Sequence, residues 1–252
     1  MADGPGREAG LHYQGGQSRL PGSAVTGRPL ELKVCGTTSP ADAALLNGTA
    51  VRWCGIVVEA DFSPRSLSVE QAAAIRTATD RDVVVLLCEP SPGLVAMVVE
   101  HVRPFAIQLQ CAESPAEVAR VRATVDCEVW KAVHLPAVAV QASPAAYVRA
   151  GADRLVLDSQ VAGEDGVRFG GTGRVGDWGR MADWMAGIRE VPIMLAGGIH
   201  AGNLHEAVRQ TGPDGVDLCS GVERQVGRRD PKRLAELLAA WHALEPNGEA
   251  VG

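Results

Sequence analysis

Residues 83–109, VVVLLCEPSPGLVAMVVEHVRPFAIQL, hold the reading that decides the fold. A β-branched run from Val83 to Leu87 gives way to an amphipathic stretch near 92–102, and a second apolar run follows at 105–109. The two short runs are apolar throughout rather than alternating, as strands buried on both faces are. A strand, a helix and a strand in so short a span form a βα unit handing on to the next.

Working outward, the same alternation fills the chain. Strands are predicted at 30–35 (LELKVC), 54–58 (CGIVV), 83–87, 105–109, 128–132 (EVWKA), 154–157 (RLVL), 193–196 (IMLA) and 215–218 (GVDL). Helices are predicted near 40–47, 67–77, 92–102, 115–123, 143–150, 178–187, 203–211 and 231–243. Ser39-Pro40, Ser68 with Glu70 nearby, Ser114-Pro115 and Asp230-Pro231 supply helix starts. Eight βα units make an α/β protein, a single-domain (β/α)8 TIM barrel at the compact end of that fold. A doubly wound open sheet would want a glycine-rich turn after its first strand, and Cys35-Gly36-Thr37-Thr38 is no such turn. The barrel is assigned to 30–244. Residues 1–29, rich in Gly, Ser, Pro and Arg without periodicity, read as a disordered leader, and 245–252 as a flexible tail.

Composition narrows the function. Of 252 residues, 46% are hydrophobic, which excludes global disorder. Lys and Arg number 24 against 30 Asp and Glu, a net charge of −6, and this argues against a broad nucleic-acid surface. No run approaches the roughly 20 apolar residues of a membrane span. The start, MADGPGREAG, has no apolar segment of a secretory signal, so a cytoplasmic protein is expected. The cysteines at 35, 54, 88, 111, 127 and 219 form no CxxC pair. They read as reduced thiols, most of them core fillers, with no metal site.

In a barrel, chemistry sits at the C-terminal ends of strands and in the βα loops. Those positions here include Cys35, the loop from Glu59 to Arg65, Cys88, Gln110, Lys131 and Asp158. Late in the chain come three glycine turns: Gly170-Gly171-Thr172-Gly173, Gly197-Gly198 and Ser220-Gly221. Glycine lets backbone N–H groups approach an anion, and the loops after strands 7 and 8 are a common phosphate site. Cys35 ends strand 1 and Asp158 ends strand 6, so a thiol and a carboxyl group flank the mouth, a pairing suited to two proton transfers. Lys131 reads equally as a ligand contact or a structural ion-pair partner. Asp217, inside strand 8, points to substrate or serves as a structural anchor. Glu223 braces its loop. His101, His134, His200, His205 and His242 read as ordinary surface or loop residues, and Arg228-Arg229 as a solvated pair before the last helix.

The ordered strings go further. Lys33-Val34-Cys35-Gly36, Ser63-Pro64-Arg65-Ser66-Leu67, Ile107-Gln108-Leu109 and Trp130-Lys131-Ala132 are followed by Leu157-Asp158-Ser159 and Gly170 to Gly173. Asp177-Trp178, Leu195-Ala196-Gly197-Gly198-Ile199 and Ser220-Gly221-Val222-Glu223 complete the series. From about residue 30 to 243 the sequence resembles the phosphoribosylanthranilate isomerase family. The resemblance implies an Amadori rearrangement of N-(5-phosphoribosyl)anthranilate to 1-(2-carboxyphenylamino)-1-deoxyribulose 5-phosphate, part of tryptophan biosynthesis. Asp158 matches the general acid, Cys35 the general base, and Arg65 the arginine that holds the substrate's carboxylate. Gly171, Gly173, Gly197, Gly198, Ser220 and Gly221 match the phosphate cradle. Gln110, still able to hydrogen-bond though it departs from the family, and Asp217 are taken as further candidate substrate contacts. No metal or organic cofactor is implied. The expected partner is a small phosphorylated substrate rather than nucleic acid or membrane, and the chain is expected to act as a monomer or homodimer.

The departures are local. Gln110-Cys111 stand where the family usually has His and Gly, Val85-Leu86-Leu87-Cys88 where it has an aromatic-containing string, and Gly176 where Phe commonly precedes Asp-Trp. Glu59 and Asp61 add acids beside Ser-Pro-Arg. These changes leave open a paralogue acting on another phosphoribosyl arylamine, or a barrel that only binds a sugar phosphate. Two neighbouring barrels fit less well. The ProFAR isomerase resembles a two-aspartate design, and Cys35 stands against it; indole-3-glycerol phosphate synthase would want early catalytic lysines and a helical N-terminal extension.

Overall fold

Glu31–Val34 (β1) pairs in parallel with Gly215–Leu218 on one side and Trp53–Val58 (β2) on the other, and this double pairing closes the sheet on itself. The ring continues through Asp82–Leu87 (β3), Ala106–Leu109 (β4), Glu128–Leu135 (β5), Arg154–Ser159 (β6), Ile193–Leu195 (β7) and Gly215–Leu218 (β8). All neighbours are parallel. The helices between them are Pro40–Ala44 (α1), Val69–Ala78 (α2), Pro92–His101 (α3), Pro115–Arg122 (α4), Pro144–Arg149 (α5), Trp178–Ala186 (α6), Leu204–Thr211 (α7) and Pro231–His242 (α8). The TIM barrel expected from the sequence is the fold found. The structure, a computed structural model, describes residues 29–61, 63–135, 142–159, 161–163, 166–168, 177–188 and 190–244. The assigned leader (apart from Pro29), the tail and the Gly170–Gly173 turn lie outside those residues. Among the described residues no helix is long and apolar enough to cross a membrane.

Side chains alternate along each strand, so one sequence run feeds two cores. Cys54, Val83, Val85, Leu155, Leu157, Ile193 and Leu195 pack against the helices, whereas Trp53, Val84, Val156 and Met194 fill the barrel. That is why the strands read as continuous apolar runs. Trp53 and Trp130 meet edge to face with centroids 5.0 Å apart. Each such large side chain contributes about 1.5–3 kcal/mol by its burial. At the N-terminal end of the barrel the Arg154 guanidinium lies over both indoles, 4.6 and 5.0 Å from their centroids, and pairs with Glu31 at 2.7 Å. A cation stacked on aromatic faces and paired with a carboxylate seals the floor.

Local signals set most helix starts. Ser39, Ser68, Ser114 and Asp230 all accept a backbone N–H as N-caps. At Ser68 the reciprocal partner is Gln71, three residues on, rather than Glu70. β5 and β6 run further than their propensity suggested, because residues 133–135 pair with 157–159. His134 is therefore an inner strand residue and fully buried, not a surface residue. Arg229 is also corrected: it is buried in a short hairpin, Glu223–Gln225 with Arg228–Arg229, and its Nη2 donates to Thr37 Oγ1 at 2.7 Å.

Candidate active site

Cys35 follows β1 directly, and its N–H donates to the Leu218 carbonyl at 2.7 Å, which extends the β1–β8 ladder to the mouth. The thiol is nearly buried, and its seat depends on a glycine. A Cβ on Gly55, in β2, would stand 2.6 Å from Cys35 Sγ. Two residues earlier Lys33 projects its ammonium 2.6 Å from Asp217 Oδ2, with Lys33 and Asp217 directly paired in register. Burial opposes the Lys33 charge, but Asp217 and the neighbouring thiol group more than offset this and hold the ammonium above its ordinary pKa. Burial pushes the Cys35 thiol up to about 11; Lys33 opposes the rise and Asp217 adds to it. Asp217 is thus tied to Lys33, while its Oδ1 has no hydrogen-bond partner among the described residues.

Asp158 stands near the end of β6, nearly buried, and is paired in register with His134. Going round the ring from β1 to β6 one passes β8 and β7. Cys35 and Asp158 therefore approach the mouth from well-separated positions, as the strand order required. His134 Nε2 bonds the Gln110 carbonyl at 2.7 Å, so that nitrogen carries the ring proton. Burial drops the His134 pKa to about 4, which leaves a neutral imidazole at neutral pH. The Gln110 side chain accepts from Gln108 Nε2 at 2.6 Å.

Arg65 comes to the rim because Ser66–Leu67 add on to Val57–Val58 at the end of β2. Its fork meets Glu223, Nε to Oε1 at 2.8 Å and Nη2 to Oε2 at 2.6 Å, and Glu223 holds the guanidinium above its ordinary pKa. Glu223 also accepts from Gly227 N at 3.0 Å, so it braces the loop after β8 as expected. Gly36 makes room for this pair. It has φ +73, and a Cβ there would lie 2.6 Å from Arg65 Cδ and 2.8 Å from Cys219 Sγ.

Gly197 and Gly198 both have positive φ, at 93 and 67, and lead into a cavity of about 470 Å³ beside the loops after β7 and β8. Gly198, His200, Ser220, Gly221 and Arg233 are among its walls. A Cβ on Gly221 would sit 2.2 Å from the Ile199 carbonyl oxygen, so the loops approach as closely as backbone allows. Asn203 pins the first loop, donating to Gly198 O at 3.0 Å and accepting from His200 N at 2.8 Å. Gly171 and Gly173 lie outside the described residues.

Two further features surround the site. Lys131 is fully buried and bonds Glu113 at 2.9 Å together with the carbonyls of Leu109, Cys111 and Ala132, which settles it as a structural ion pair. Cys88 and Cys111 are joined by a disulfide, so the expectation of six reduced thiols is corrected for these two. They lie just beyond Leu87 and Leu109, which are paired in register across β3 and β4, and this neighbourhood brings the sulfurs together. Gly55, Glu113 and His134 were missed as parts of the site. No residue-type or spacing signal marks them; only the closed register does.

The N-(5'phosphoribosyl)anthranilate (PRA) isomerase family model matches residues 32–240. The N-(5'-phosphoribosyl)anthranilate isomerase of Rhodospirillum centenum is 37% identical over 220 residues, covering 86% of this chain and all of that one. The same enzyme of Natronomonas pharaonis is 32% identical over 212 residues, 83% of this chain and 96% of its own. The crystal structure of phosphoribosyl anthranilate isomerase from Thermus thermophilus superposes with a TM-score of 0.71 at 27% identity, over 86% of this chain and 100% of that chain. With a closed eight-stranded barrel, a thiol and a carboxyl group at its mouth and relatives matched over nearly their whole length, the chain belongs to the N-(5'-phosphoribosyl)anthranilate isomerase family.

Proposed function

We infer that this chain isomerises N-(5'-phosphoribosyl)anthranilate to 1-(2-carboxyphenylamino)-1-deoxyribulose 5-phosphate, with Asp158 as general acid and Cys35 as general base. The observation that carries the reading is the placement of these two nearly buried groups at strand ends on separate sides of one mouth. Asp158 delivers a proton to the ribose ring oxygen, and the ring opens to an iminium. The Cys35 sulfur then takes the proton from C2, and the resulting enolamine tautomerises to the ketone. A thiol at about 11 is protonated in the resting site near neutral pH. The cationic iminium and the Lys33 ammonium both favour the thiolate at the moment it is needed.

The remaining parts take the ends of the substrate. The loops carrying Gly197, Gly198, Ser220 and Gly221 suit a phosphate, with Gly171 and Gly173 assigned to the same cradle. Arg65 supplies a rigid cation on the carboxylate side, its fork oriented by Glu223. Gln110 lies on the aryl side. The test is direct: purified protein is given N-(5'-phosphoribosyl)anthranilate and followed by loss of anthranilate-type fluorescence, alongside complementation of a tryptophan auxotroph lacking this isomerase. Turnover with complementation supports the reading, and absence of both overturns it. A second reading, a paralogue with an altered aryl pocket, is favoured by one observation, the disulfide-bearing ends of β3 and β4. Turnover of a substituted phosphoribosyl aniline above that of the anthranilate compound would establish it.

A further inference from the structure

The ends of β3 and β4 and the middle of β5 carry an assembly that the proposed reaction does not use directly. Cys88 and Cys111 are covalently joined, with Cα atoms 5.1 Å apart. Beside them Glu113, fully buried, accepts on Oε1 the N–H groups of Glu89 at 2.9 Å and Cys111 at 3.2 Å, and on Oε2 the Lys131 ammonium at 2.9 Å. Lys131 donates in turn to the Leu109, Cys111 and Ala132 carbonyls. One carboxylate, one ammonium and one covalent bond thus tie the ends of β3 and β4 to the middle of β5. Cys88, Cys111 and Glu113 also lie within 4.8 Å of one another, a spacing that would suit a metal ion. Both Glu113 oxygens are engaged by protein donors and the two sulfurs are bonded to each other, so this cluster is a disulfide beside an ion pair.

From the disulfide a short path leads to the acid. Gln110 adjoins Cys111, its carbonyl receives His134 Nε2, and His134 is the register partner of Asp158. We propose that the Cys88–Cys111 bond is a redox-responsive positioning clamp: closed, it fixes Gln110, His134 and thereby the end of β6 that carries Asp158; opened by a dithiol, it slackens that end and turnover falls while the barrel stays folded. The proposal rests on the role given to Asp158 above. In a reducing compartment a bond of this kind acts as a switch more than as a staple. Its opening balances simply. A reagent thiolate attacks the Cys88 sulfur, the more exposed of the two, and Cys111 leaves with the electron pair and takes a proton from water. The second reagent thiol displaces Cys88, so that two protein thiols and one cyclic disulfide result.

The experiment compares the full chain, purified without reductant, before and after treatment with dithiothreitol. Thiol counting under denaturing conditions should rise from four to six. On reduction kcat should fall about tenfold, KM should change less, and reoxidation should restore the rate, since small misplacements of reacting groups cost that much or more. Circular dichroism should show the barrel intact. The variant Cys88→Ser/Cys111→Ser should sit at the reduced level and ignore dithiothreitol, which separates this bond from any effect on Cys35. The His134 ring resonances, assigned with His134→Gln, should move on reduction, a readout that needs no turnover. Six thiols before reduction, His134 resonances that do not move, or equal kcat in both states would each overturn the clamp. Absence of turnover in both states would instead overturn the proposed function, with the His134 resonances still deciding the clamp.

Discussion

The Lys33 ammonium and the Asp217 carboxylate meet at 2.6 Å inside the barrel, paired across β1 and β8, two residues before the thiol of Cys35. This relation sets opposing charges next to the proposed base. Lys33 favours the thiolate and Asp217 disfavours it, while burial dominates and leaves the thiol at about 11.

Replacement of the thiol tests its role. Cys35→Ser should lower kcat by roughly 10²-fold or more, the scale of general acid–base contributions, with the melting temperature little changed. Near-wild-type turnover would remove the assignment.

The charges around Cys35 give a pH prediction. The base must be deprotonated, so the limb of kcat/KM due to Cys35 should climb through the alkaline range toward about 11. Asp217→Asn removes the charge that adds to the rise caused by burial and should move this limb to lower pH; Lys33→Met should move it higher. Iodoacetamide labelling of Cys35 against pH, followed by mass spectrometry, reads the same shifts without substrate. Labelling midpoints that coincide in all three proteins would contradict the arrangement.

The Arg65–Glu223 fork predicts an asymmetric stability effect. Glu223→Ala leaves a buried guanidinium without its carboxylate and should cost about 3–5 kcal/mol in denaturant unfolding. Arg65→Met/Glu223→Leu removes both charges and should cost clearly less. A double variant as unstable as the single one would show that the pair is a net stabiliser in its own right.

Anion binding tests the glycine loops. Inorganic phosphate or sulfate should raise the melting temperature by mass action, by about 2.7 kcal/mol of stability at a hundredfold excess over Kd. Gly221→Ala, whose added Cβ meets the Ile199 carbonyl at 2.2 Å, should abolish that response. Melting curves insensitive to both anions in the unaltered protein would count against the cradle.

The aryl side is tested at Gln110. Gln110→His should raise kcat/KM on phosphoribosylanthranilate by about 10–200-fold if that end of the pocket has changed, the range one contact commands. If the unaltered protein already prefers anthranilate over a substituted aniline and Gln110→His only lowers activity, the altered-pocket reading is lost.

Much of this is legible in the sequence. Continuous apolar strands, serine and proline at helix starts and eight repeats fixed the barrel, and strand order placed Cys35 and Asp158 at its mouth. What escaped depended on neighbours. His134 sits in Lys131-Ala132-Val133-His134, where nothing local says that the strand continues to Leu135; its pairing with Asp158 does. The Cys88–Cys111 bond was invisible to spacing rules because it joins two strand ends across a helix, and the Leu87–Leu109 register makes them neighbours. Nothing in the string CGIVV marks Gly55; the Cys35 sulfur fills the place a side chain there would take.

Arg154, lying over both Trp53 and Trp130 and tied to Glu31, has an evolutionary consequence. It secures the end of the barrel opposite Cys35 and Asp158, using side chains that belong to none of the loops assigned to the site. Loops at the opposite end can therefore be exchanged, lengthened or rewired without the foundation being renegotiated each time. A lineage can change residues at the mouth on such a scaffold, Gln110 among those proposed to face the aryl group, and still inherit a barrel that folds.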